Sequence, residues 1–166
     1  LVSVICSALL KPRSDRDVNQ LAQLLKKNSA AQLRNALREL IGHDKDDIRT
    51  AALKQLSKLS GGLQAKDLKD LLGSEALIAR LIAADTMRRR DDTSGLGVVL
   101  AAVPKAKKHK AEAVRVLGRF RSRDAMPVLL DLLDDADMQV RVAAWSGVQD
   151  TMRSLFPYRR FDFRQT

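Results

Sequence analysis

Cysteine is almost absent: Cys6 is the single one in 166 residues, which excludes an internal disulfide and a thiolate metal cluster. Histidine is nearly as scarce. His43 and His109 stand far apart, so a Ser/His or Cys/His pair has almost no material, and a metal site would have to rest on carboxylates. Aromatics reach only 4%, and Phe120, Trp145, Phe156, Tyr158, Phe161 and Phe163 all fall in the last third. The first two thirds must therefore build their core from Leu, Ala, Val and Ile. No Pro/Gly/Ser-rich linker divides the chain, which points to one domain. A membrane span is missing too, since the apolar opening "LVSVICSALL" is about half the necessary length. That opening also lacks the basic region of a secretory signal. The chain starts at Leu1 without a methionine, as expected of a piece of something longer, and the lack of cystines favours the cytoplasm.

What is present is charge and helical periodicity. Hydrophobic residues make up 45% and charged residues 30%, a balance that suits a soluble helical protein and not a disordered one. The net charge of +10 points to an anionic partner, whether nucleic acid, an acidic protein surface or a membrane face.

The chain repeats itself. "LRELIGHDKDDIRTAAL" from Leu37, "LKDLLGSEALIARLIAA" from Leu68 and "LLDLLDDADMQVRVAAW" from Leu129 superimpose with hardly a gap. One column then holds Ala22, Ala52, Ala83, Ala113 and Ala144, at spacings alternating between 30 and 31. Three residues before each alanine stand Asn19, Arg49, Arg80, Lys110 and Arg141, and twelve before it Leu10, Leu40, Leu71, Ala101 and Leu132. Apolar residues within each unit fall at helical spacing on either side of a polar turn, so each unit reads as a helical hairpin. First helices are predicted near 2–11, 31–42, 65–72, 95–103 and 125–134. Second helices are predicted near 17–28, 46–60, 75–90, 108–121 and 137–153. Alanine suits a helix packed on both sides, because it lets backbones approach without loss of helix propensity.

Acidic turns leading into "DDIRTAA" and "MQVRVAAW" make the chain resemble HEAT repeats, especially the short bacterial type named after phycobilisome-lyase-like proteins. The resemblance implies an all-α, right-handed α-α superhelix, an α-solenoid of about five hairpins in the armadillo-like class. Units run at about 1–29, 30–61, 62–92, 93–123 and 124–153, and residues 154–166 form an aromatic and basic capping or linker segment. The resemblance further implies inter-repeat ties by Arg49, Arg80 and Arg141 with acidic turn residues Asp44, Asp46, Asp135 and Asp137. Asn19 in the first unit, and "KAKKHK" (Lys105 to Lys110) where other units have acid, depart from this pattern; the second departure puts the ion pairing of the fourth unit in doubt.

Basic residues mark the candidate binding surface. Lys26, Lys27, Lys58, Arg88, Arg89, Arg90, Arg119, Arg121, Arg123 and Arg153 lie at or beyond the ends of second helices. There they offset the negative end of the helix dipole, or line one edge of the solenoid for a phosphate backbone or an acidic peptide. Lys107, Lys108 and Lys110 stand at a helix start, where the dipole disfavours cations. From Lys105 to Arg123, eight basic residues (105, 107, 108, 110, 115, 119, 121 and 123) face Glu112 alone. The tail "LFPYRRFDFRQT" interleaves aromatics with arginine, which suits either stacking on single-stranded nucleic acid or capping of the last repeat. Trp145 is expected to pack between repeats. Carboxylate pairs such as Asp46/Asp47, Asp91/Asp92 and Asp134/Asp135 lie in turns, as N-caps do, and no phosphate-cradling glycine loop is present.

The expected function is a non-catalytic scaffold that binds a protein partner with an acidic surface, without cofactor or metal. A nucleic-acid-binding solenoid using the basic edge stays open. So does an enzyme of the HEAT-like DNA glycosylase or the lyase/isomerase type, although the single tryptophan and the lack of a matching aspartate speak against the glycosylase.

Overall fold

The leucine- and alanine-rich runs fold as the helices their spacing predicts. The computed structural model describes residues 2–156, with the side chains of residues 2–4, 6, 27 and 28 left aside. Ten α-helices follow in order: α1 (Val2–Leu9), α2 (Asp15–Asn28), α3 (Ala30–Leu40), α4 (Asp46–Leu56), α5 (Ala65–Leu72), α6 (Leu77–Arg88), α7 (Leu96–Ala102), α8 (Lys110–Arg119), α9 (Met126–Asp131) and α10 (Met138–Leu155). Short 3-10 turns extend α7 over Val103–Lys105 and flank α9 at Arg123–Ala125 and Leu132–Asp134. No strand occurs among the described residues. Helices α1 with α2, α3 with α4, α7 with α8 and α9 with α10 pair as hairpins, the fold class of an α-solenoid.

Local chemistry sets the helix boundaries. Ser14 and Asp17 form a capping box at the start of α2, each side chain accepting a hydrogen bond from the other's backbone N–H. Asp137 caps α10 by accepting from the Gln139 N–H at 2.8 Å. The α4 helix ends at Leu56, earlier than expected from the apolar pattern. Beyond it the chain winds through bonds of Lys58 to Gln55 and Leu59 to Leu56, reaching Gly61 at φ 65. Glycine adopts that left-handed conformation without steric penalty, so "SGG" does stop the helix.

The chain divides into two compact units, residues 1–86 and 87–166. Repeats that touch only their neighbours make no single core. In the first unit α1 to α4 pack as two hairpins, with Leu9, Val18, Leu25, Leu37, Ile48 and Leu56 fully buried. In the second, α8 packs against α7 and α10, and Val99, Val103, Val114, Leu117, Leu129 and Val140 are fully buried. The alanine column is interior throughout: Ala52, Ala83, Ala113 and Ala144 are fully buried and Ala22 nearly so. The leucine column is less uniform, since Leu40 is buried whereas Leu10 and Ala101 are exposed.

Two of the arginines expected to tie repeats together, Arg49 and Arg141, hold their own turns. Arg49 donates to the carbonyls of His43 at 2.6 Å and Asp44 at 2.9 Å, and pairs with Asp46 at 3.2 Å. Arg141 donates likewise to the carbonyls of Asp135 and Ala136, at 2.8 and 3.1 Å. Both arginines thus close the turn of their own hairpin, reaching back to residues five and six positions earlier. Arg80 keeps its Nε buried without a hydrogen-bond partner. Ties between hairpins come from the two units that depart from arginine: Asn19 accepts from Gln55 Nε2 at 2.6 Å, and Lys110 meets Asp135 of the next turn at 2.5 Å. The ion pairing of the fourth unit, doubtful from its lysines, is therefore made by one of them. Further ties in the first unit run from Arg34 to the Ser60 carbonyl (3.0 Å), from Arg38 to the Gly62 carbonyl (3.3 Å) and to Asp67 (3.5 Å), and from Lys45 to the Arg13 carbonyl (3.4 Å).

Candidate functional site

The basic segment of the second unit is organised by α8. With ten residues rising about 15 Å, this helix holds its two basic clusters apart. Lys105, Lys107 and Lys108 lie exposed before its N-terminus, and Arg121 and Arg123 lie exposed beyond its C-terminus, after Arg119. What reads as one run of eight cations in sequence is two groups at opposite ends of a helix, with Arg115 exposed between them. Two of the segment's residues take left-handed backbone that side chains rarely adopt: His109 at φ 65, as the N-cap, and Arg121 at φ 51. Such a residue carries strain of about 1–2 kcal/mol.

Lys110 leaves the candidate anion site. Its ammonium is half-buried and bound to the Asp135 carboxylate, which is largely buried itself. That carboxyl is held below its ordinary value near 3.8, first by the Lys110 hydrogen bond, then by the backbone N–H of Asp137, with the charges of Lys110 and Arg141 adding to the effect and partial desolvation opposing it. A carboxyl lowered in this way stabilises the folded chain above its unfolded value, and that contribution is lost as pH falls through the lowered folded value. We expect Asp135→Asn to flatten the dependence of melting temperature on pH below the ordinary carboxylate range; melts of both chains over an acid series check this.

Close helix packing creates a groove beside the arginines. A Cβ on Gly118 would lie 2.6 Å from the Gly147 Cα, so α8 and α10 cross backbone to backbone. Beside the crossing Arg115, Gly118, Arg119, Ala143, Ser146, Gly147 and Asp150 line an open groove of about 180 Å³. Arg115 and Arg119, four residues apart, share one face of α8. Asp150 also meets Arg153 at 3.5 Å. The groove is thus edged by the Arg115 guanidinium, a hydroxyl and one carboxylate around a glycine floor, and by Arg119, which has a polar interaction of its own.

Other expected residues lie elsewhere or have other tasks. Arg88, Arg89 and Arg90 at the end of α6 are each engaged by other groups. Trp145 does not pack between repeats: it is 55% exposed. One position past Ala144 turns the side chain about 100° around α10, which takes it off the buried face. The aromatic and basic residues Tyr158, Arg159, Arg160, Phe161, Phe163 and Arg164 lie outside the described residues. Among the described residues no three His, Cys, Asp or Glu side chains stand together as a metal set, and no helix is long and apolar enough to cross a membrane. The glycine pair went unnoticed in sequence reasoning, although an isolated glycine inside a helical pattern is itself the signal of close backbone approach.

A family model described as HEAT repeats matches residues 93–152, from just before α7 to near the end of α10. No curated protein and no solved structure matches.

Proposed function

We propose, from the premise that this chain is a HEAT-like repeat protein, that it serves as a non-catalytic scaffold whose second unit docks an acidic segment of a protein partner. The observation that supports this reading is the groove between α8 and α10, where Arg115 and Arg119 flank the glycine crossing inside the HEAT-matched residues. Guanidinium groups bind carboxylates in bidentate fashion, so Arg115, exposed on this face of α8, suits an acidic side chain. Exposed Lys105, Lys107 and Lys108 at one end of α8, and Arg121 and Arg123 at the other, extend the positive field and steer an acidic partner toward the groove. A continuous phosphate track is the weaker reading, because Lys110 is neutralised by Asp135 and the remaining cations stand in two groups.

The test is fluorescence anisotropy with a labelled poly-glutamate peptide and, in parallel, a labelled generic DNA duplex, over a range of salt. Poly-glutamate should bind, and Arg115→Glu with Arg119→Glu should weaken it by about tenfold or more. Duplex DNA binding more tightly than the peptide, with a steep log-log salt slope that the double variant reduces, would transfer the groove to the nucleic-acid reading. Peptide binding unchanged by the double variant would remove it from either role.

A further inference from the structure

The turn leading into the second helix has the same form in three hairpins. Its first residue accepts a hydrogen bond from the backbone N–H two positions on: His43 Nδ1 from Lys45 at 3.0 Å, Ser74 Oγ from Ala76 at 3.2 Å, and Asp135 Oδ1 from Asp137 at 2.9 Å. Six positions after these residues stand Arg49, Arg80 and Arg141. In the last of the three turns the first residue is an acid held by two cations. Asp135 binds Lys110, 25 residues earlier in the preceding hairpin, and the charge of Arg141 in its own hairpin acts on the same carboxyl.

The repeat sets an equivalent trio in the first unit. Counting 25 back from Ser74 gives Arg49 and six on gives Arg80, so a hydroxyl between two arginines takes the place of the acid. The hairpins that carry them are stacked, since Arg38 on α3 meets Asp67 at the start of α5 at 3.5 Å. The remaining registers of the sequence differ: His43 is flanked by Asn19 and Arg49, and Pro104 by Arg80 and Lys110. Only Ser74 has an arginine on either side and a side chain that can be esterified.

Arg80 registers the missing acid. Arg49 pairs with Asp46 three positions before it at 3.2 Å, where Arg80 has Leu77. Arg49 and Arg141 also donate to the carbonyls six and five positions back. Arg80 binds neither Ser74 nor Glu75 in this way, and its Nε is buried without a hydrogen-bond partner. A buried donor left unmatched is a cost that an acceptor at this place removes. We propose that Arg49 and Arg80 form a receptor for a phosphoryl group at Ser74, either the phosphate ester of its hydroxyl or a phosphate ion bound beside it.

A phosphoryl group brings nearly two negative charges and three acceptor oxygens, which guanidinium groups bind in bidentate fashion. It also stands before the N-terminus of the 12-residue α6, the end of a helix that favours an anion. Ser74 lies outside the helices and is half-buried, with Gly73, Glu75 and Ala76 exposed around it, so a protein kinase can reach its hydroxyl. Transfer from a nucleoside triphosphate forms the Oγ–P bond and breaks the bond from the γ-phosphorus to the oxygen that bridges it to the β-phosphate. The hydroxyl proton passes to the kinase's base, and the nucleoside diphosphate leaves. The group then joins the second and third hairpins as Asp135 joins the fourth and fifth. The receptor lies in the first unit and is independent of the arginine groove.

Thermal melts of the 166-residue chain test the proposal in two arms. In one, inorganic phosphate is titrated against the parent chain while chloride holds the ionic strength constant; in the other, phosphoserine is placed at position 74 during synthesis. A rise in melting temperature of about 4 °C or more is expected. A rise in the first arm assigns the receptor to the free ion, and a rise in the second alone assigns it to the ester. Ser74→Asp, which rebuilds the place of Asp135, should give a similar rise and abolish any response to inorganic phosphate. Arg80→Gln should remove each of these gains. Because Arg80 secures no turn, that variant keeps its fold, and it leaves the end of α6 unchanged. Gains that survive Arg80→Gln therefore come from the helix end and overturn the proposal. So does the lack of a rise in both arms, or a response to inorganic phosphate that Ser74→Asp leaves intact.

Discussion

Replacing Gly147 by alanine is expected to destabilise the second unit by about 1–3 kcal/mol, the range for overpacking a tight contact. In an exposed helix the same change would stabilise by up to about 1 kcal/mol, because alanine is the better helix former. The sign reverses because a methyl group at Gly147 would lie 2.9 Å from the Gly118 Cα and 3.1 Å from both Leu129 methyl carbons. A leucine end can turn aside; the backbone of α8 cannot without moving the helix. Gly118→Ala should cost a similar amount, since its methyl would come within 2.6 Å of the Gly147 Cα. The two methyl groups compete for one space, so the double variant should lose more than the sum. Urea denaturation measures all three, and hydrogen exchange should place the loss in residues 87–156. A double variant as stable as the parent chain would mean that the helices do not cross here.

Gly62→Ala is expected to have an effect at least as large, about 3 kcal/mol or more, in the first unit. A Cβ there would stand 2.0 Å from the Leu56 carbonyl oxygen and 2.9 Å from its carbon. Both atoms belong to the end of α4, so the loop from Ser57 to Leu63 would have to be rebuilt. That loop anchors hairpins, because Arg34 and Arg38 hold the carbonyls of Ser60 and Gly62. Gly61→Ala serves as the control. It sits at φ 65 with no atom within 4 Å of a new Cβ, so only left-handed strain of about 1 kcal/mol applies. Denaturation midpoints for the adjacent variants separate the two causes, and equal losses would contradict the close approach at Gly62.

The repeat made most of the fold legible. A period of 30 to 31 residues located the ten helices of the described residues within a few positions, since apolar spacing follows directly from helix geometry. Boundaries failed where the chain tightens into 3-10 turns, at both ends of α9 and after α7, because that change depends on turn geometry and not on hydrophobicity. Trp145 failed for a different reason. Periodicity shows that a helix has an apolar face but not how many of its faces are covered, and α10 has two. The basic segment was visible as composition, yet its division by α8 and the capture of Lys110 by Asp135 both required three dimensions. Arg115 and Arg119 were within the run; what distinguishes them is the pair of glycines opposite, one of which lies 29 residues further along the chain.

The turn-closing arginines have a consequence for how such a chain can change over time. Arg49 and Arg141 bind mainly carbonyl oxygens, which every amino acid supplies, so the clasp does not depend on which side chains the turn carries. The two turns show it: His43 and Asp44 fill the same places in one hairpin as Asp135 and Ala136 in the other. A hairpin secured in this way keeps its shape while its turn is rewritten. Turns are then free to take on new contacts, as Asp135 has done with Lys110, and a copied hairpin arrives with its turn already closed.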